Sequence, residues 1–232
     1  ITMIHFVPSM LQVFVQELAH RPCPSLKRVI CSGEALPVAL QNRFLSLSGA
    51  ELHNLYGPTE AAIDVTAWAC RLEADQTTVP IGRPIDNIQL YIFNKEGQPV
   101  PVGVAGELHI GGVGLARGYW RRPALTAEKF VPNPFATDGS FLYKTGDLAR
   151  YRADGNIEFL GRLDHQVKLR GFRIELGEIE AQLNQHPAIR ESVLLARHEQ
   201  LVAYLVTEDP APATAELRSF LQTSLPDYMI PA

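Results

Sequence analysis

The chain has 232 residues, with 21 Lys or Arg against 25 Asp or Glu, which gives a formal net charge of −4. Hydrophobic residues make up 46% of it and charged residues 20%, as in globular domains, and no apolar run reaches the roughly 18 residues of a membrane span. The slightly acidic balance argues against nucleic-acid binding. Three widely spaced cysteines exclude a CxxC metal site and favour a reducing, cytoplasmic setting.

The N-terminal third alternates between strand and helix patterns. Three short strands and two helices are expected, in chain order, at 1–6, 10–18, 28–31, 38–45 and 51–55. Ser9 is placed to cap the first helix, and Pro37 is placed at the start of the second. This alternation predicts part of a parallel α/β sheet, which we assign to residues 1–80 as the end of a larger α/β subdomain.

Short strands joined by polar turns dominate from about residue 80. Strands are expected at 89–93 and 106–110, and a hairpin at 149–160. The hairpin turn contains Asp154-Gly155, a pair that favours the turn types that match strand twist. Residues 81–163 are therefore expected to form a β-rich subdomain that resembles a distorted barrel.

The remaining residues, 164–232, mix strands and helices. The expected elements, in chain order, are 166–169, 176–184, 192–196, 201–206 and 215–225. This order predicts a compact C-terminal α+β domain whose boundary falls near residues 161–164. The fold class is therefore α/β for the first part and α+β for the last.

The segment 56–60, Tyr-Gly-Pro-Thr-Glu, follows the third predicted strand, where α/β sheets commonly bind ligands. The Tyr56 ring can stack on a planar base, Thr59 can donate to a phosphate oxygen, and Glu60 can bind Mg²⁺. The alternative is a β-turn followed by a solvated helix start. Spacing alone leaves both interpretations open.

Three further segments carry glycines or charges in informative positions. Residues 106–119 are rich in glycine but lack the Lys-Ser/Thr of a phosphate-binding loop, so strand-end glycines are the better interpretation. Asp147 follows a predicted glycine turn and can accept the hydroxyls of a ribose or form an Asx-type turn. Residues 162–173 carry four basic side chains at a predicted domain junction, which can hold an anionic ligand or form a solvated hairpin.

Five segments occur together in the order and spacing of the adenylate-forming superfamily. They are 56–60, 106–119, 143–148, 161–180 and 225–231. The chain most closely resembles the C-terminal portion of an amino-acid adenylation domain of nonribosomal peptide synthetases, and the resemblance extends over nearly all of it. Acyl- or aryl-CoA ligases share the general plan, and a non-catalytic nucleotide-binding relative is a third alternative.

The resemblance implies an enzyme that uses ATP and Mg²⁺ to convert an amino acid into an aminoacyl-adenylate, with release of pyrophosphate. It also implies transfer of the aminoacyl group to the phosphopantetheine of a peptidyl carrier protein domain, among the neighbouring modules of a synthetase for secondary metabolites. No nucleic acid or membrane partner is implied.

The family's motifs assign roles to residues at matching positions. The implied nucleotide-binding residues are Tyr56, Gly57, Thr59, Asp147 and Arg162. By this match, Tyr56 stacks on adenine, and Asp147 binds the ribose hydroxyls with Arg162 close by. Thr59 contacts the α-phosphate and Glu60 binds Mg²⁺, which makes these two the implied catalytic residues.

Two positions correspond to parts of the family that act during a domain rotation. Asp164 matches the hinge of the C-terminal domain, and Gly171 falls in the loop that faces the pantetheine arm. The pyrophosphate-clamping loop is expected upstream of Ile1 and the catalytic lysine downstream of Ala232. The chain is accordingly expected to be a fragment of a longer protein and inactive by itself.

Six side chains match the amino-acid pocket of the family: His5, Ile30, Ser32, Leu55, Ile63 and Asp64. A His, a Ser and an Asp suit a small polar substrate, because a buried hydroxyl needs hydrogen-bond partners. The set resembles the serine-selecting pattern of the family, so L-serine is the expected substrate. The alternative is that His5 and Asp64 are satisfied structural residues.

Overall fold

The computed structural model describes residues 1–74, 76–197 and 200–232. These residues divide into two compact units, residues 1–163 and residues 164–232. None of the described helices is long and apolar enough to cross a membrane.

Five described strands form the first sheet of unit 1, in the spatial order β1 (Met3–Phe6), β2 (Arg28–Cys31), β3 (Glu51–Tyr56), β4 (Thr66–Ala69) and β5 (Arg83–Pro84). The first three are parallel and β4 is antiparallel to β3. Helices α1 (Pro8–Leu18) and α2 (Val38–Leu47) make the connections that parallel neighbours require. The predicted α/β architecture is confirmed.

Helix α1 begins differently from the prediction. Its N-cap residue is Val7, it has no side-chain cap, and Pro8 occupies the first turn, where a fixed φ suits the helix. The expectation that Ser9 caps the helix is therefore wrong. The backbone N–H of Ser9 donates instead to Glu34 Oε2 at 3.0 Å.

A single apolar core holds α1 and α2 against one face of the first sheet. Its fully buried members include Leu11, Val29, Cys31, Phe44 and Leu52. Because side chains alternate along a strand, the residues between these core positions lie on the opposite face. That second face carries the predicted substrate pocket.

The second sheet of unit 1 contains β6 (Ile88–Phe93), β7 (Gly106–Gly112), β9 (Phe141–Tyr151) and β10 (Ile157–Arg162), and β8 (Phe130–Pro132) pairs with β9. Helix α3 (Pro123–Lys129) precedes β8. All pairings are antiparallel, and within the described chain the sheet is open rather than closed into a barrel. The interpretation of Gly106, Gly111 and Gly112 as strand-end glycines is confirmed.

Unit 2 has two antiparallel strand pairs and two helices. The elements are β11 (Gln166–Leu169), β12 (Phe172–Glu175), α4 (Leu176–Leu183), β13 (Ile189–Arg197), β14 (Gln200–Thr207) and α5 (Thr214–Gln222). Ile174, Ile179 and Leu183 are among its buried core residues. The predicted α+β arrangement is confirmed. Arg170 (φ 52°) and Gly171 (φ 82°) form the two-residue β11–β12 turn, where positive φ at both positions matches strand twist.

Candidate active site

The candidate active site begins where β3 ends at Tyr56. A short 3₁₀ helix, Thr59–Ala61, follows, and the chain then passes through Ala62 (φ 57°) and Ile63 (φ 78°). A left-handed backbone is rare for a β-branched residue such as Ile63, and strain of this kind concentrates at functional sites. Ile63 is 67% exposed, so the pocket position predicted for it lies on an open surface of unit 1.

Gly57 allows this loop to fold back on the end of β3. A Cβ atom at Gly57 would lie 2.3 Å from the carbonyl oxygen of Ile63 and 2.8 Å from the Cα of Asp64. No real Cβ contact is that short, so any other residue here must displace the loop. The glycine thereby sets the backbone position of both predicted pocket residues.

We expect Gly57→Ala to lower the amino-acid activation that the family resemblance implies by about 10- to 100-fold, because misplacing substrate-contacting groups by about 1 Å is costly. Gly49→Ala is the matched control, since Gly49 lies just before the same strand and has no atom within 4 Å of its would-be Cβ. The measurement is kcat/KM for the amino acid in the protein as it occurs naturally. Similar losses in both variants would contradict the proposed clash.

Glu60 is held in place by residues of the glycine-rich segment. Its carboxylate Oε1 accepts a hydrogen bond from the Tyr119 hydroxyl at 2.6 Å, and its backbone carbonyl accepts one from Ala116 N–H at 2.8 Å. Glu60 is only 7% exposed, which contradicts the alternative of a solvated helix start. Thr59, next to it, is exposed.

Tyr56, Asp147 and Arg162 form a connected buried group. The Tyr56 hydroxyl donates to Asp147 Oδ2 at 2.5 Å, and Arg162 Nη1 donates to Asp147 Oδ1 at 2.7 Å. Burial, and then the negative charge of Asp147, raise the pKa of Tyr56 well above its usual value. Tyr56 therefore stays protonated and acts as a hydrogen-bond donor.

Asp147 does not follow a turn, so that local prediction is wrong. It lies inside the continuous strand β9, next to Gly146 at φ 71°, where the β7–β9 register shifts between Glu107 and His109. Such a bulge bends a strand and re-aims its side chains. The β9–β10 register then pairs Asp147 with Arg162, a meeting that no sequence pattern showed.

The chemistry of these carboxylates fits Mg²⁺ and a nucleotide. No cluster of three or more metal-ligating side chains exists among the residues described. Mg²⁺ is commonly bound by one or two carboxylates together with substrate phosphates, so Glu60 suits a metal that arrives with phosphates. Asp147 is 3% exposed, and its two carboxylate oxygens already accept hydrogen bonds from Tyr56 and Arg162.

Four of the six predicted pocket residues meet on the second face of the first sheet. The register aligns His5 with Ile30 on neighbouring strands, and Leu55 lies two residues beyond His53, the partner of Ile30. His5 Nε2 and Ser32 Oγ share a hydrogen bond of 2.8 Å. Parallel strands thus bring residues 27 positions apart into contact.

Asp64, another of the predicted pocket residues, has an unusual carboxylate. Its Oδ1 atom is buried and has no hydrogen-bond partner within the described part of the chain. Burial raises the pKa of Asp64, and the charge of His5 partly offsets that rise. A buried acceptor left unsatisfied in this way points to a ligand donor.

Two predicted residues lie in unit 2. Asp164 is its first residue, and Asp164 Oδ1 accepts a hydrogen bond from Gln166 N–H at 3.2 Å. Gly171 lies in the β11–β12 turn. The sequence reasoning missed Tyr119, although it ends the glycine-rich segment that we interpreted only structurally.

Comparison with known proteins places the chain in a known class. Residues 1–120 match the family model described as AMP-binding enzyme. The match includes more than half of the chain, and the chain therefore belongs to the AMP-binding enzyme family of adenylate-forming ligases.

Curated relatives include large peptide synthetases. Over its full length the chain is 52% identical to part of tyrocidine synthase 3 of Brevibacillus parabrevis and 51% identical to part of phosphinothricin tripeptide synthetase PhsB of Streptomyces viridochromogenes. It spans 4% and 20% of those two proteins.

Solved structures with the same fold include two adenylation proteins. One is NpsA-ThdA, an artificially fused adenylation–PCP di-domain from Klebsiella oxytoca, with a TM-score of 0.84 and 31% identity over 100% of this chain and 44% of that one. The other is the Vibrio cholerae adenylation domain AlmE in complex with glycyl-adenosine-5'-phosphate, with a TM-score of 0.88 and 28% identity over 100% of this chain and 45% of that one. The chain thus spans less than half of either structure.

Proposed function

We propose that the protein containing this chain activates an amino acid with ATP and Mg²⁺ as an adenylation domain of a nonribosomal peptide synthetase. The observation that carries the proposal is the buried group in which Asp147 binds Tyr56 and Arg162, at 2.5 and 2.7 Å, in a chain of the AMP-binding family. The relatives support the second half-reaction, transfer to the phosphopantetheine of a peptidyl carrier protein domain.

In the proposed reaction, a carboxylate oxygen of the amino acid forms a bond to the α-phosphorus of ATP. The bond from that phosphorus to the bridging oxygen breaks, and pyrophosphate leaves with the electron pair. No protein nucleophile is needed, so the chain contributes positioning and electrostatic stabilisation. Mg²⁺, when bound, neutralises phosphate charge.

Each residue of the site has a role in this proposal. Tyr56 lies against adenine and Asp147 accepts the ribose hydroxyls, with Arg162 beside them. The exposed Thr59 hydroxyl donates to the α-phosphate. Glu60 holds Mg²⁺ through a carboxylate that is already fixed in position.

For the substrate we propose L-serine. Asp64 supplies a buried carboxylate oxygen that lacks a partner in the described structure, and the hydrogen-bonded His5–Ser32 pair supplies further polar atoms. A hydroxyl on a short side chain satisfies such an acceptor.

The test is amino-acid-dependent ATP–pyrophosphate exchange with the protein as it occurs naturally, followed by loading of its phosphopantetheinylated carrier domain. Exchange and loading together support the proposal. Thioester formation on free coenzyme A in place of the carrier would favour a CoA ligase. ATP binding without exchange for any amino acid would indicate a non-catalytic nucleotide-binding protein.

Asp164→Pro tests the proposed hinge. Proline fixes φ near −65°, which should hinder rotation of residues 165–232 between the two half-reactions. We expect adenylation and carrier loading, measured separately, to change unequally. Asp164→Ala is the control, because it removes the acceptor for Gln166 N–H without restricting φ. Equal effects of Asp164→Pro on both half-reactions would remove Asp164 from the hinge role.

A further inference from the structure

The Glu60 carboxylate is fixed by a residue 59 positions further along the chain. The Tyr119 hydroxyl donates to Glu60 Oε1 at 2.6 Å. A second bond, from Ala116 N–H to the Glu60 carbonyl at 2.8 Å, joins the same two segments through their backbones. Both the side chain and the main chain of Glu60 are thus held by residues 116–119.

Tyr119 is itself anchored on α3. Its backbone N–H donates to Thr126 Oγ1 at 2.9 Å, and its ring lies edge-on to Phe130 with 5.8 Å between centroids. Gly118 makes this approach possible, since it has φ 132° and a Cβ there would lie 2.4 Å from Thr126 Cγ2. These contacts hold the backbone and the ring of Tyr119 in place, so its hydroxyl is directed at Glu60.

The Tyr119 hydroxyl is the donor in this hydrogen bond, because an ionised carboxylate such as Glu60 can only accept. A hydrogen bond from a neutral donor to a carboxylate is short and strong, in keeping with the 2.6 Å distance.

We propose that Tyr119 is a positioning residue for the Mg²⁺ carboxylate, Glu60. The inference rests on the proposed function, in which Glu60 binds Mg²⁺ together with the phosphates of ATP. A carboxylate has two oxygens with about four lone-pair sites in all, so one bond to Tyr119 orients the group without preventing metal binding. Hydrogen-bond partners of metal-binding carboxylates typically contribute about 10- to 100-fold to metal affinity or activity.

Tyr119→Phe tests the inference, because it keeps the ring and removes only the hydroxyl. Mn²⁺ serves as the probe, titrated by electron paramagnetic resonance into the natural protein saturated with α,β-methylene-ATP. We expect Mn²⁺ affinity to weaken by about 10- to 100-fold. In exchange assays the Mg²⁺ concentration that gives half-maximal activity should rise by a similar factor. KM for the amino acid should stay close to that of the wild type.

Tyr151→Phe is the matched control. Its hydroxyl donates to the backbone carbonyl of Leu90 at 2.8 Å, within the same unit, and the ring is likewise partly buried. This variant removes a comparable hydrogen bond away from Glu60, so Mn²⁺ affinity should not change. Thermal melting shows whether both variants are folded at the assay temperature.

Thr126→Val provides a second test, because it removes the acceptor for Tyr119 N–H. We expect this variant to bind Mn²⁺ more weakly than the wild type, as Tyr119→Phe does.

Glu60→Gln separates this inference from the proposed function. If Glu60→Gln weakens Mn²⁺ binding and neither Tyr119→Phe nor Thr126→Val does, the positioning role is overturned while Glu60 remains the metal ligand. If Glu60→Gln itself leaves Mn²⁺ binding unchanged, the metal role of Glu60 fails, and the inference fails with it.

Discussion

Asp147→Ala is expected to lower kcat/KM for ATP by about 10- to 150-fold in pyrophosphate exchange. Hydrogen bonds that involve a charged partner are worth roughly 1.5–3 kcal/mol each, and the ribose hydroxyls would lose theirs. The measurement is exchange at varied ATP and saturating amino acid, with the protein as it occurs naturally.

The same substitution has a structural effect that must be separated from the catalytic one. It leaves the Arg162 side chain, which is 13% exposed, without the carboxylate it binds at 2.7 Å. Removing one partner of a buried ion pair typically destabilises a protein by about 3–5 kcal/mol. Part of any activity loss could therefore come from unfolding.

Glu158→Ala provides the control. Glu158 Oε2 accepts from Arg150 Nε at 2.7 Å, across the same two strands that carry Asp147 and Arg162, and the Glu158 side chain is 10% exposed. We expect this variant to lose stability but to keep its KM for ATP. Exchange kinetics that are unchanged in Asp147→Ala, or equally impaired in both folded variants, would contradict ribose binding by Asp147.

The sequence predicted the elements whose signal is local. Strands β1 to β3 and helices α1 and α2 were expected close to their observed bounds, because apolar spacing differs between strands and helices. Four pocket residues were assigned from the family resemblance, and their closeness follows from alternation and register once the parallel sheet is known, with Ser32 directly after β2. Strand β4 was missed, since Thr66–Ala69 contains two alanines, which are depleted in strands, and a single large apolar side chain.

The contacts that make the site were not predictable from local patterns. Asp147 meets Arg162 through a bulge at Gly146, and the shift of register is a property of three paired strands. Tyr119 contacts Glu60 although the two residues are 59 positions apart, so no local sequence pattern predicts their hydrogen bond. Ile63 adopts a left-handed backbone conformation, which β-branched residues disfavour, so local propensity predicts a negative φ at this position.

Asp64 also has a pH-dependent effect on stability that helps to interpret its variants. Burial raises its folded-state pKa above the unfolded value, so the folded protein binds the proton more tightly. The free energy of unfolding therefore falls as pH rises from the unfolded-state pKa of Asp64 through its raised folded-state pKa. At neutral pH the ionised carboxylate is destabilising. Asp64→Asn should be at least as stable as the wild type at pH 7. The difference in free energy of unfolding between the two proteins should disappear at pH values below the pKa of an ordinary aspartate, where Asp64 is protonated in both the folded and the unfolded state. A loss of serine activation in that variant then cannot be attributed to unfolding.

The largest expected effect is discrimination between L-serine and L-alanine. A site built to hydrogen-bond a hydroxyl rejects the analogue that lacks it by on the order of 10⁴-fold, because its own buried polar atoms are left without partners. Asp64 Oδ1 is such an atom, since no described residue donates to it, and the His5–Ser32 pair is a second polar element of the proposed pocket.

We therefore expect serine to exceed alanine in kcat/KM for exchange by a factor of this order, and Asp64→Ala to reduce the ratio chiefly by lowering the serine value. Asp154→Ala, in an exposed turn of the same unit, should leave the ratio unchanged because its carboxylate accepts from Asn156 N–H and pairs with Arg152 at the hairpin between β9 and β10. The alanine rate is the sharper indicator: it should hardly fall in Asp64→Ala, since alanine offers no donor to the missing oxygen. A panel of amino acids in which alanine, valine or an aromatic residue gives the strongest exchange, with serine at background, would contradict the assignment of this pocket.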